Sequence, residues 1–148
     1  MISGLTITPL KTFRDHRGSV LHMMRSDSPL FSGFGEVYFS SIGHRAVKAW
    51  RRNHFATANF AVPVGSVELV AYDDRDDSAT RDSKICIMLD ADNYHLVTIP
   101  PRVWYGFVGL AEVESLIVNL LNRPYDAAAA DQREYPSIEI PHEWDQVS

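Results

Sequence analysis

The chain has 148 residues, 45% of them hydrophobic and 22% charged, and a formal net charge of −5. That length holds one compact domain with a core and is short for two. The acidic balance argues against a general binder of phosphate backbones, which needs a basic face, yet a local cluster of Arg and Lys can still take a small anion.

In chain order, the pattern is one of short strands between turn residues. SVLHMMRS (19–26) alternates imperfectly, and GEVYFSSI (35–42) sets Val37 and Phe39 on one side and Tyr38 on the other. VKAWRRNHF (47–55), ANFAVPVG (58–65), SVELVAYDD (66–74), KICIMLD (84–90), YHLVTIP (94–100) and SLIVNLLN (115–122) follow, each bounded by Gly, Pro, Asp, Asn or Ser. This spacing predicts an all-β sandwich or barrel. YDDRDDSATRD (72–82) reads as a hydrophilic turn in which Asp73 and Ser78 bind nearby backbone N–H groups. DAAAADQREY (126–135) is the one helix candidate, a turn or two long, with Asp126 as its N-cap. No repeat or linker divides the chain, so residues 1–148 are expected to form a single domain.

The single cysteine, Cys86, excludes an intrachain disulfide and argues against a cysteine-based zinc site. Within KICIMLD it reads as a small core residue. No apolar run approaches the ~18 residues of a membrane span. MISGLTITPL lacks the basic and long apolar regions of a secretion signal, so the expected location is cytoplasmic. His22, His44, His95 and His142 are scattered, with no spacing that suggests a ligand pair.

Four segments in this order, FRDHRGSV, GSVELVAYDDRDDSAT, IPPRVWYGF and NRPYD…IEIPHEW, resemble the dTDP-4-dehydrorhamnose 3,5-epimerase family. The likeness runs over almost the whole chain, from Ile7 to Trp144. It implies a double-stranded antiparallel β-barrel of the cupin or jelly-roll type with short C-terminal helical turns, usually a homodimer. It also implies action on a nucleotide-linked 4-keto-6-deoxyhexose, in dTDP-rhamnose, other deoxysugar or polysaccharide biosynthesis. In such enzymes a histidine held by a carboxylate removes the proton beside the ketone and a tyrosine returns one on the opposite face. No metal or other cofactor is implied, and neither nucleic acid nor membrane is an expected partner.

The sequence departs from that pattern at the reacting positions. A family histidine follows the RG or AW dipeptide, where Arg51 stands here, and short members carry a second histidine where Asn53 stands. Period-two alternation sets Arg51, Asn53 and Phe55 on one face and Lys48, Trp50, Arg52 and His54 on the other. His54 then reads as an outward or interface histidine. The family has Gly at Arg102 and His at Tyr105, while its lysine falls at Ala58 and its tyrosine near Val118. Arginine stays protonated and is no base, and Arg51, Asn53 and Tyr105 do not make the three-His, one-Glu metal set of cupins.

The candidate catalytic positions are therefore Tyr105 and Arg51. Tyr105 either donates to a keto oxygen or satisfies a core hydrogen bond, and an inward Arg51 needs a carboxylate such as Glu36 or Glu68, or a ligand anion. Phe13, Arg17, Tyr38, Lys48, Asn53 and Trp104 are the candidate substrate contacts. By the resemblance, Arg17 meets the diphosphate; otherwise it is a turn arginine paired with Asp15. Lys48 matches a family arginine near the phosphates. Phe13 and Tyr38 offer flat surfaces to a base or belong to the core, and Trp104 stands beside the mouth. Two functions remain open: an epimerase or isomerase with altered residues, and a catalytically silent homologue that binds a sugar nucleotide.

Overall fold

The structure, a computed structural model, describes residues 1–145. Those residues form twelve strands: β1 (Thr6–Pro9), β2 (Thr12–Asp15), β3 (Gly18–Leu21), β4 (Glu36–Ile42), β5 (Val47–Asn53), β6 (Ala58–Val64), β7 (Ser66–Tyr72), β8 (Lys84–Asp90), β9 (His95–Ile99), β10 (Trp104–Gly109), β11 (Ser115–Leu121) and β12 (Ala130–Gln132). One five-stranded sheet runs β1-β9-β6-β11-β4, a second runs β12-β5-β10-β7-β8, and β2 and β3 make a separate ribbon. Every strand pairing is antiparallel. Among the described residues no ladder joins the two large sheets, so hydrogen bonding does not close them into a barrel. No helix among the described residues is long and apolar enough to cross a membrane.

The core lies between the sheets. Phe60 and Val62 of β6 and Ile117 and Leu121 of β11 meet Val67, Leu69 and Ala71 of β7 and Phe107 of β10. β7 is apolar on its other face as well, where Val70 and Tyr72 join Trp50, Trp104, Val108, Ile140 and Trp144. The C-terminal segment covers that outward face, which is why a strand of an antiparallel sheet reads as a nearly unbroken apolar run.

Several expectations are corrected here. Cys86 is exposed rather than in the core, because β8 is an edge strand and its alternation turns Cys86 and Met88 outward while Ile87 and Leu89 are buried. The strand expected over 19–26 ends at Leu21. The helix candidate shrinks to a 3₁₀ turn, Ala127–Ala129, capped by Asp126, whose Oδ1 accepts from the Ala128 N–H at 3.0 Å. Helix propensity loses there to pairing, since Ala130–Gln132 completes the open edge of β5 against Arg51–Asn53. In the turn after β7 the expected backbone bonds are present, the Arg75 N–H donating to Asp73 and the Thr80 N–H to the Ser78 hydroxyl, each at 3.1 Å, but Asp73 is fully buried and not solvated.

Candidate functional site

The site begins with an irregularity in β5. Against β10, Arg51 pairs with Tyr105, Ala49 with Gly106 and Lys48 with Phe107, so Trp50 is one residue too many. Its backbone finds other partners: the Trp50 N–H donates to the Arg133 carbonyl at 2.9 Å, and the Arg133 N–H donates to the Trp50 carbonyl at 3.1 Å. Gly106 is required opposite this bulge, because a Cβ there would lie 2.5 Å from the Ala49 Cβ.

The bulge resets the alternation. Lys48 and Arg51, expected on opposite faces, share the face that carries Phe107 and Tyr105. Trp50 and Arg52 turn outward, Trp50 stacking on Trp144 with ring centroids 5.3 Å apart and Arg52 lying 4.4 Å above the Trp104 ring. His54 also faces outward, where its Nε2 sits 2.9 Å from Asp131 Oδ1.

On the inner face is a cavity of about 420 Å³, with Tyr38, Lys48, Arg51, Tyr105, Asn119 and Arg133 among its walls. Its base is polar. Asn119 is 1% exposed and donates from Nδ2 to the Tyr38 hydroxyl at 2.9 Å, while its Oδ1 is buried without a partner among the described residues. Lys48 Nζ donates to the Ser40 hydroxyl at 2.9 Å and the Ser41 carbonyl at 2.6 Å. Arg133 is paired with Glu139 at 2.6 Å. Arg51 reaches the mouth and lies 5.9 Å from the centre of the Tyr125 ring. Among the described residues it has no ion-pair partner, and Glu36 and Glu68 are engaged elsewhere, by the Tyr125 N–H and the Trp144 indole, each at 2.7 Å.

Tyr105 is almost wholly buried, and burial, reinforced by Tyr38, pushes its hydroxyl far above the ordinary phenol range despite Arg51 and Asn53. It is therefore a protonated donor at neutral pH. The described residues lining the cavity include no histidine and no carboxylate. Chemically, the pocket can hold an anion, donate to a carbonyl and accept from a hydroxyl.

The structure thus brings Tyr38, Lys48, Arg51 and Tyr105 together. Asn53 lies in an adjoining hollow of about 270 Å³ with Phe55, Arg123 and Tyr125. Phe13, 57% exposed, sits on the β2–β3 ribbon edge-on to His22, and neither it nor Arg17 lines the cavity. Arg17 pairs with Asp15 at 2.7 Å. Trp104 lies on the outward face and donates from Nε1 to Asp74 at 2.9 Å.

Sequence reasoning missed Asn119, although an amide inside SLIVNLL was its visible mark. The inward position beside Val118 is Asn119 itself, because Ile117 and Asn119 face the cavity and Val118 alternates away. Ala58, where a lysine was sought, is fully buried in the core.

No family model matches the sequence. The crystal structure of a dTDP sugar isomerase from Desulfovibrio desulfuricans G20 is 38% identical, with a TM-score of 0.95, covering 99% of this chain and 94% of that one. The probable low-salt glycan biosynthesis epimerase Agl13 of Haloferax volcanii is 28% identical over 91% of this chain and 88% of its own length. A dTDP-4-dehydrorhamnose 3,5-epimerase from Bacillus anthracis, with TDP and PPi bound, shares the fold at 18% identity and a TM-score of 0.87, covering 99% of this chain and 87% of that one. Through the Desulfovibrio relative, 38% identical along nearly the full length of both chains, the protein belongs to the dTDP-4-dehydrorhamnose 3,5-epimerase-like family.

Proposed function

We propose that the cavity takes a nucleotide-linked 4-keto-6-deoxyhexose and that the protein serves deoxysugar or polysaccharide biosynthesis as an epimerase or isomerase. One observation carries this reading: Lys48, Arg51 and Arg133 gather around a cavity without a lining carboxylate, in a chain of net charge −5. A diphosphate supplies the charge that Arg51 lacks, and a guanidinium fork suits it geometrically. The Tyr105 phenol donates to the keto oxygen and stabilises negative charge developing there. Asn119 Oδ1 accepts from a sugar hydroxyl.

The same reading takes residues 1–148 as one cupin-type barrel domain, cytoplasmic and homodimeric. Phe13 and Arg17 then contact substrate only across the dimer, since neither lines the cavity of its own chain. Asn53 contributes from the adjoining hollow, and Trp104 packs behind the site.

A second reading, a catalytically silent sugar-nucleotide binder, is favoured by the lack of a lining histidine or carboxylate to take the carbon-bound proton. Incubation with dTDP-4-keto-6-deoxyglucose in deuterated water, followed at C3 and C5 by NMR, separates the two. Deuterium at either carbon establishes the enzyme. Broadened nucleotide signals without exchange establish the silent binder. Absence of both exchange and broadening refutes the assignment of the cavity.

A further inference from the structure

Outside the cavity, the outward face of the second sheet gathers three unlike donors. Glu68 on β7, Cys86 on β8 and His142 in the C-terminal segment each offer a ligand atom, and these atoms lie within 4.8 Å of one another. The register sets Glu68 opposite Met88 and Val70 opposite Cys86, so carboxylate and thiol occupy neighbouring rungs of one face. The C-terminal segment crosses back over this face and brings His142 down onto it. The ring meets Trp144 edge-on at 4.6 Å and Trp50 at 6.2 Å.

Two details go beyond proximity. Among the described residues His142 Nε2 is buried with no hydrogen-bond partner, an arrangement that costs free energy unless something takes up its lone pair or proton. Glu68 is oriented: its Oε1 accepts from the Trp144 indole at 2.7 Å, as outer partners commonly orient ligating carboxylates. Lys84 is the opposing charge, and its Nζ is tied to the Pro141 carbonyl at 2.9 Å.

We propose that Glu68, Cys86 and His142 form a binding site for a zinc-class divalent cation, with a fourth position open to water. Thiolate, imidazole and carboxylate together suit a borderline-soft first-row ion. The Cys86 thiol gives its proton to solvent as the sulfur–metal bond forms. Two anionic ligands then offset the ion's charge against Lys84. The donors close to separations of about 3.5 Å in a tetrahedron, a side-chain movement of roughly one ångström. Such a site ties the segment that covers Trp50 and Trp104 to the sheet beneath it. The lone cysteine and scattered histidines of the chain argue against such a site when read as spacing alone, because the three residues lie far apart along the chain and meet only in the fold.

Cobalt(II) titration of the full chain tests this. The expected result is one equivalent bound, with a thiolate-to-cobalt charge-transfer band in the near ultraviolet. Cys86→Ser removes the band and leaves the fold intact, since Cys86 is exposed. Glu68→Gln and His142→Ala each weaken cobalt binding by about tenfold or more. Zinc raises the melting temperature of the parent and not of Cys86→Ser. Absence of the band, its survival in Cys86→Ser, or unchanged affinity in both Glu68→Gln and His142→Ala overturns the assignment.

Discussion

Replacing Asp73 by alanine removes the acceptor at the centre of the turn after β7. Asp73 is fully buried and accepts from Arg75 Nε at 2.8 Å, Arg75 Nη2 at 2.9 Å, the Arg75 N–H at 3.1 Å, Ser78 Oγ at 2.6 Å and Thr80 Oγ1 at 2.7 Å. Arg75 carries the link onward by donating to the Ser3 carbonyl at 2.8 Å. Removing one partner of a buried ion pair costs about 3–5 kcal/mol, because the other charge is stranded. The Arg75 side chain keeps 11% of its exposure and so reaches some water, which sets the expectation at the lower end, about 3 kcal/mol. Urea unfolding measures it, with an unchanged m-value as the check that only stability has moved. Asp27→Ala is the control, since it breaks the Arg25–Asp27 pair at 70% and 67% side-chain exposure and is expected to cost far less. Equal losses in the two variants would refute the reasoning from burial. Acid adds a second check. Burial acts to raise the Asp73 carboxyl, but hydrogen bonds from Arg75, Ser78 and Thr80 outweigh it and hold the pKa below its ordinary 3.8. A depressed folded-state pKa gives stability that is complete above the unfolded value and fades as pH falls through the folded one. The gap between parent and Asp73→Ala therefore stays constant from about pH 7 to 5 and narrows below about pH 4.

Arg51→Ala is expected to raise the Kd for dTDP by about tenfold or more, measured by calorimetry, with little change in melting temperature because Arg51 has no ion pair among the described residues to lose. Unchanged affinity would remove Arg51 from the site. Gly106→Ala forces a Cβ against Ala49 and is expected to cost about 1–3 kcal/mol in urea unfolding. A neutral result would mean that the bulge relaxes freely. Asn119→Leu removes a buried oxygen that has no partner among the described residues, and water can reach the exposed Tyr38 hydroxyl that loses its donor, so the free protein should be about as stable as the parent, while sugar-nucleotide affinity falls. A loss of stability with unchanged affinity would make Asn119 a packing residue.

How much of this was legible depended on whether the determinants were local. Alternation and turn residues located β4 to β9 and β11, because each has its own apolar period between Gly, Pro, Asp, Asn or Ser. β10 was hidden by the prolines before it and by Gly106, whose place is explained only by the Ala49 Cβ across the ladder. Lys48 was recognised as a candidate but assigned to the wrong face, because a bulge is a relation between two strands and leaves no period in one. Asn119 escaped because its inward orientation depends on strand register. Cys86 read as core because its apolar neighbours are visible in sequence, whereas the edge position of β8 is not. The scatter of the histidines was legible. The meeting of His142 with Glu68 and Cys86 depends on the path of the C-terminal segment, which no spacing encodes.

The extra residue at Trp50 works as a phase switch for everything after it in β5. Its presence sends Lys48 and Arg51 inward together and turns Arg52 and His54 out. Absorbing Trp50 into the regular ladder with β10 would invert that output, presenting Arg52 and His54 to the cavity while Arg51 turned away, whereas deleting Trp50 would leave Arg51 opposite Tyr105 and the inward pair unchanged. A strand of this kind stores two alternative pocket faces in one sequence, and whether one residue is looped out of the ladder decides which of them the cavity receives.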